Sequence, residues 1–409
     1  MPAASGAGGP GGFRIGLGEA TGAVADLGVL VPLAAALILV NGVDAGALMV
    51  GAGALLLAAG VAFRVPFPVQ PLKALTAVAV AQGLAPPVIH AAGIEIGAFL
   101  VLLSVRQVAD AIARLFTPPV VRALQFGVGS LLVIAAVRLI LEPPAVFRGT
   151  PPSPWPVVLA VAAFAAVSWE ARRQRYGLAL AVLAAGVAAA WLLARPSLRG
   201  PSFQVPLPGF PPAAAFGSAF LLLVVPQLPL TFGNAVVAVD DLAHRYFGPA
   251  AGRVTPSRVC FSCGVGNVVA GLIGGMPMCH GAGGLTAHVR LGARTAGMNL
   301  LLGTAFLLAG LYFAPQVPVL LGLLPVWALA AFLAYAGLRH ALLVADLRGA
   351  ELAIALVAGA AGAAVSNLAL TAAAALAAAH GGRALRRRYP SGNGPRGPGS
   401  YSASSNSPS

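Results

Sequence analysis

Apolar runs broken by charge, proline and glycine divide most of this chain into fourteen segments. In the first half they centre on 21–40, 45–63, 68–84, 88–104, 121–141, 155–169 and 177–194. In the second half they centre on 213–238, 259–275, 277–289, 296–313, 317–338, 349–365 and 367–380. A helix crossing the hydrocarbon core of a bilayer needs about 20 apolar residues, and most of these runs approach that length. The pattern predicts an all-α polytopic membrane protein.

Composition strengthens this. Only 9% of the 409 residues are charged and 58% are hydrophobic, whereas a soluble domain carries roughly a quarter charged residues. Lipid must therefore be the main solvent. The formal net charge is +14. The arginines sit between apolar runs rather than on one patch, so no nucleic-acid partner is expected. With the N-terminus inside and every segment crossing, 20 arginines fall on the cytoplasmic side. Only Arg138, Arg148, Arg195 and Arg199 fall outside. That bias follows the positive-inside rule and predicts cytoplasmic N- and C-termini, in a cell membrane. Residues 1–20 read as a flexible cytoplasmic N-terminus without the marks of a signal peptide. Residues 196–212 read as an extracytoplasmic linker. Residues 381–409, basic and then Ser/Gly/Pro-rich, read as a disordered cytoplasmic tail.

Two segments are too short and too punctuated to be ordinary spans. One runs from Pro66 through Pro68, Gln70, Pro71 and Leu72 to Lys73. The other runs from Pro277 through Cys279, His280, Gly281, Ala282 and Gly283 to Gly284. Each is third in its half of seven, and the tripeptides Leu75-Thr76-Ala77 and Leu285-Thr286-Ala287 follow them. Seven is odd, so the second half enters from the opposite face. The expectation is an inverted 7+7 repeat over 21–195 and 213–380, with half-helices at segments 3 and 10. Proline and glycine favour an extended lead-in, which survives at membrane depth only inside protein or beside a water-filled cavity. Each short helix then begins in mid-membrane with unpaired N–H groups and the positive end of its dipole. Two such ends face to face make an anion site.

Candidate side chains follow. Lys73 is the only lysine of the chain. It is placed one turn into the first short helix, where it either adds charge to the pocket or pairs with Asp26. Gln70 offers amide donors. His280 can donate to the anion or carry a proton, and Asp26, inside an apolar run, is the other coupling candidate. Gln227, Thr231 and Asn234 line one face of the eighth segment, which Pro226, Pro229 and Gly233 bend. Glu95 stays unassigned. Cys260 and Cys263 form a C-x-x-C with Cys279 and His280 further on. At the start of a membrane helix they read as buried apolar thiols rather than metal ligands, and neither a metal nor another cofactor is expected.

The stretches Gly22–Gly28, Pro68–Lys73, Gln227–Val236 and Met276–Leu285 together resemble the molybdate transporter family, a branch of the sulfate permease superfamily. The resemblance implies a core domain of segments 1–4 and 8–11 and a gate domain of segments 5–7 and 12–14. It implies an oxyanion held between helices 3 and 10 by alternating access. The site it implies is Gln70, Pro71, Leu72, Lys73, Gln227, Thr231, Asn234, Cys279, His280, Gly281, Ala282 and Gly283. Several proton-coupled relatives keep a carboxylate on the eighth helix, where this chain has Thr231 and Asn234, so H+ or another coupling ion stays open, as does a homodimer. The implied substrate is molybdate. Sulfate or another anion on the same fold is the alternative, and a thiol enzyme using Cys279 and His280 is a remote one because no third group orients that pair.

Overall fold

The computed structural model describes residues 12–25, 27–143, 155–173, 177–197, 200–365 and 370–379. Most of the expected flexible N-terminus, the tail expected over 381–409, and Asp26 lie outside the described residues. The first half comprises α1 (Leu17–Val24), α2 (Leu27–Leu39), α3 (Ala45–Phe63), β1 (Gln70–Pro71), α4 (Lys73–Ala81), α5 (Pro86–Ser104), α6 (Val108–Ala113), α7 (Pro118–Leu141), α8 (Trp155–Arg173) and α9 (Leu178–Ala194). The second comprises α10 (Ala213–Ala219), α11 (Val225–Leu230), α12 (Ala238–Phe247), α13 (Pro256–Ile273), β2 (Met278–Cys279), α14 (Ala282–Arg290), α15 (Gly297–Tyr312), α16 (Val317–Gly322), α17 (Val326–Ala341) and α18 (Gly349–Ala364). A last apolar helix, α19, spans Leu370–Ala379.

Among the described residues, seven helices are long and apolar enough to cross a membrane, or up to nine if two bent pairs each count as one span. The chain is an integral multi-pass membrane protein. α9, α18 and α19 are shorter apolar helices, and α4 and α14, nine residues each, are too short to span.

Three departures from the sequence reading stand out. The eighth segment does not stop near 238 but continues as helix to Ala251. Its polar end, Asp240 to Arg245, extends the apolar part. Widened π-type turns at Phe220–Val224 and Thr231–Val237 flank α11, whose Pro229 lies inside the helix. Proline removes a backbone donor and crowds the preceding turn, and widened turns are one way a helix absorbs that. The segment 317–338 splits into α16 and α17 just before Val326, with Pro325 capping α17. The small helix α6 precedes α7 as α16 precedes α17.

The two halves interlock. α3 packs along α15 and α5 along α13; α7 packs along α17, with α18 on α7 and α8 on α17. Three of these crossings meet at reciprocal glycines. A Cβ on Gly53 would lie 2.7 Å from the Gly303 carbonyl oxygen, one on Gly97 2.7 Å from that of Gly264, and one on Gly129 2.6 Å from that of Gly337. Lipid tails give apolar helices no reason to associate, so close backbone approach and its dispersion contacts hold such pairs together.

Candidate functional site

The extended lead-ins of α4 and α14 meet as a two-stranded antiparallel pair, with Gln70 opposite Cys279 and Pro71 opposite Met278. The Leu72 N–H donates to the Pro277 carbonyl at 3.0 Å. The helices then start two and three residues beyond the pair, from extended caps at Leu72 and Gly281 that offer no side-chain cap. The two N-termini are thereby fixed beside each other in the buried middle of the protein. Gln70, His280 and Leu72 are fully buried, and Cys279 nearly so.

Two asparagines hold this irregular backbone. Asn267 on α13 accepts from the Met278 N–H at 2.7 Å and donates to the Met278 carbonyl at 2.7 Å. Asn299 on α15 accepts from the Phe67 N–H at 2.9 Å and donates to the Phe67 carbonyl at 2.7 Å. A carboxamide carries one acceptor and a two-proton donor, so it can pair with both backbone groups of one residue as a neighbouring strand would. Water cannot meet that need at membrane depth.

Lys73 is the first residue of α4 rather than one turn into it. Its Nζ donates to Gln70 Oε1 at 2.6 Å, and it is half-buried. This pair sits over Gly281, where a Cβ would lie 2.2 Å from Gln70 Oε1 and 3.1 Å from Lys73 Nζ. Gln227 reaches in from α11. Its Oε1 accepts from the Leu75 N–H at 2.9 Å, and its Nε2 donates to Thr231 Oγ1 at 2.9 Å. Thus Gln70, Lys73, Gly281, Gln227 and Thr231 form one connected constellation. Asn234, one turn beyond Thr231, is buried, and its amide oxygen has no partner among the described residues. Gly283 faces α7, where a Cβ would meet Leu132 at 2.9 Å.

His280 is placed differently from the sequence expectation. Its Nδ1 lies 2.8 Å from the Pro68 carbonyl and its Nε2 lies 2.9 Å from Ser262 Oγ. A carbonyl only accepts, so Nδ1 carries a proton. Phe67 closes on the ring edge-on at 4.7 Å between centroids. Nδ1 thus supports the β1 lead-in, and Nε2 is tied to α13. The three cysteines are all buried. Glu95 on α5 has a buried carboxylate oxygen without a partner among the described residues.

Sequence reading missed Asn267, Asn299 and Ser262. It also missed Thr286 Oγ1, 2.9 Å from His340 Nδ1, which ties α14 to α17. The available signal was a lone amide inside an apolar run, Asn267 in α13 and Asn299 in α15.

The family model described as "Molybdate transporter of MFS superfamily" matches residues 18–132 and 219–339, more than half of the chain. "Molybdate transporter 1" of Arabidopsis thaliana is 29% identical over 378 residues, covering 82% of this chain and 81% of that protein. The "Molybdate transporter 1" of Chlamydomonas reinhardtii is 42% identical over 128 residues, 30% of this chain and 25% of that one. Among solved structures, the transmembrane domain of the cyanobacterial bicarbonate transporter BicA matches with a TM-score of 0.53 at 17% identity, covering 90% of this chain and 99% of that one. SLC26A9 matches with a TM-score of 0.54 at 15% identity, covering 91% of this chain and 65% of that one. Identities this low establish a common fold. The match to the family model covers both short helices and both lead-in strands, and the chain belongs to the molybdate transporter family.

Proposed function

We propose that this protein is a secondary active transporter of molybdate, working by alternating access, with the dianion held between the N-termini of α4 and α14. One observation carries the reading: the β1–β2 pair sets two helix N-termini side by side, with the only lysine of the chain at the first position of one of them. Each helix end contributes roughly half a positive charge. Two ends and Lys73 together offset about two negative charges, the charge of a tetrahedral oxyanion of this kind.

In this reading the amides of Lys73, Ala74, Ala282 and Gly283 are the helix-end donors for the anion. Gln70 and Gln227 now accept from Lys73 and Leu75. With an oxyanion present, its oxygens take over as acceptors and the carboxamides turn their NH₂ groups toward it. His280 supports the Pro68 carbonyl rather than carrying a proton. α1–α5 and α10–α15 form the core that carries the site. α7–α9 and α16–α19 form the gate it moves against, and both termini face the cytoplasm.

Labelled molybdate uptake into proteoliposomes, at nanomolar concentration with sulfate as competitor, tests this. Uptake is expected to survive an equal concentration of sulfate and to fall at least tenfold in Lys73→Gln. Abolition of uptake by equimolar sulfate would overturn the choice of molybdate.

A further inference from the structure

We propose that a groove at the joined ends of α3, α5 and α13 binds the phosphate headgroup of an anionic phospholipid. The proposal requires only that the chain spans a bilayer. It is independent of what the central site carries.

The groove has a volume of about 580 Å³. Arg253 and Arg258 stand at its mouth with Ser104 and Ser257, and Phe63 and Phe261 form its apolar wall. Both arginines are exposed. Arg258 Nη1 donates to the Arg253 carbonyl at 3.4 Å, which holds the two residues together. Among the described residues neither guanidinium has a carboxylate within ion-pair distance. The nearby acid, Asp110 on α6, is already engaged by the N–H and hydroxyl of Ser257. Two guanidinium charges and one carboxylate therefore meet at the mouth, and the balance is positive. The α13 N-terminus lies at the same place, but its Ser257 and Arg258 N–H groups are already taken by Asp110 and Thr255, so the two guanidinium groups are the donors left for a ligand.

What lies below the mouth decides the ligand. Exposed apolar side chains descend from it along both flanking helices: Leu102 and Phe99 on α5, and Phe261, Val265 and Val269 on α13. In a membrane protein such a strip is the lipid-facing surface. A ligand with a phosphate at one end and hydrocarbon at the other matches both parts. Free phosphate would use only the mouth. Basic pockets between helix ends are the places where anionic headgroups dock.

Reconstitution of the full chain in nanodiscs of phosphatidylcholine containing a minor fraction of phosphatidylglycerol, followed by extraction and quantification of the lipid retained after detergent transfer, tests the site. The wild-type protein is expected to retain phosphatidylglycerol several-fold above its bulk fraction. The Arg253→Gln/Arg258→Gln double variant is expected to fall to the bulk ratio. The Arg253→Lys/Arg258→Lys variant, which keeps both charges, is expected to retain at least half the enrichment. Enrichment unchanged in the glutamine double variant would overturn the proposal. So would displacement of the lipid by millimolar inorganic phosphate, which would assign the mouth to a free anion.

Discussion

Gly281 caps α14 in an extended conformation, φ −68°, that any residue can adopt. Backbone freedom is therefore not why glycine stands there. The reason is the Gln70 carboxamide, which occupies the volume a Cβ would need. Because the obstruction is the tip of a flexible side chain, Gly281→Ala should fold, but only by pushing Gln70 away from Lys73. The displaced Gln70 carboxamide can then no longer donate to the anion, a charged hydrogen bond worth about 1.5–3 kcal/mol, so molybdate affinity should fall about tenfold or more, read by isothermal titration. The melting temperature should move by only a few degrees. Gln70, Lys73 and Gly281 were all legible in the sequence, because proline and glycine mark where a membrane helix breaks and a lone lysine marks where charge is tolerated. The engagement of His280 by Pro68 and Ser262 was not legible. Those partners lie 212 and 18 residues away, and only the folded geometry shows that the ring faces the lead-in strand.

At the scale of elements, the two short helices were visible from local chemistry, but what steadies their lead-ins was not. Each lead-in depends on one asparagine from another helix. Replacing Asn267 by alanine strands the Met278 N–H and carbonyl where no water is at hand. Each unsatisfied buried backbone group costs about 1–3 kcal/mol, so Asn267→Ala should lose roughly 2–6 kcal/mol and lower the detergent-solubilised melting temperature clearly. A thermal-shift assay reads the loss against wild type. What sequence reading missed at this scale has two causes. α6 is six residues long, too short for a periodic signal. The run from α10 to α12 stays helical through its prolines because widened turns absorb them, which an alternation of apolar and polar positions cannot reveal.

At the scale of the whole molecule, the largest ionic cluster among the described residues joins three elements far apart in sequence. Arg122 at the start of α7, only 3% exposed, meets Asp241 of α12 at 2.8 Å and Asp346 beyond α17 at 3.1 Å. Arg245 of α12 bonds the same Asp346. A buried guanidinium with both carboxylates in place is well compensated, and losing one would leave an uncompensated charge. The cluster therefore fixes α12 against α7 and α17, the helices proposed to move relative to each other. Arginine placement along the chain pointed to the ends of spans, but not to which ends meet.

The β1–β2 pair also bears on how the protein is made. The partner of Gln70 is Cys279, and the clamp on Phe67 is Asn299, so the first short helix enters the membrane more than 200 residues before its backbone partners are synthesised. During that interval its lead-in has no lasting hydrogen-bond partners, and the membrane insertion machinery or water must supply them. A chain stopped after residue 212 should consequently be unstable and be removed by cellular quality control. Supplying residues 213–409 as a second polypeptide should raise its steady-state level several-fold, measured by immunoblot. An unchanged level would mean that the first half settles alone. For this fold the burden of biosynthesis falls on the first half, which waits for the second to complete its β1–β2 pair.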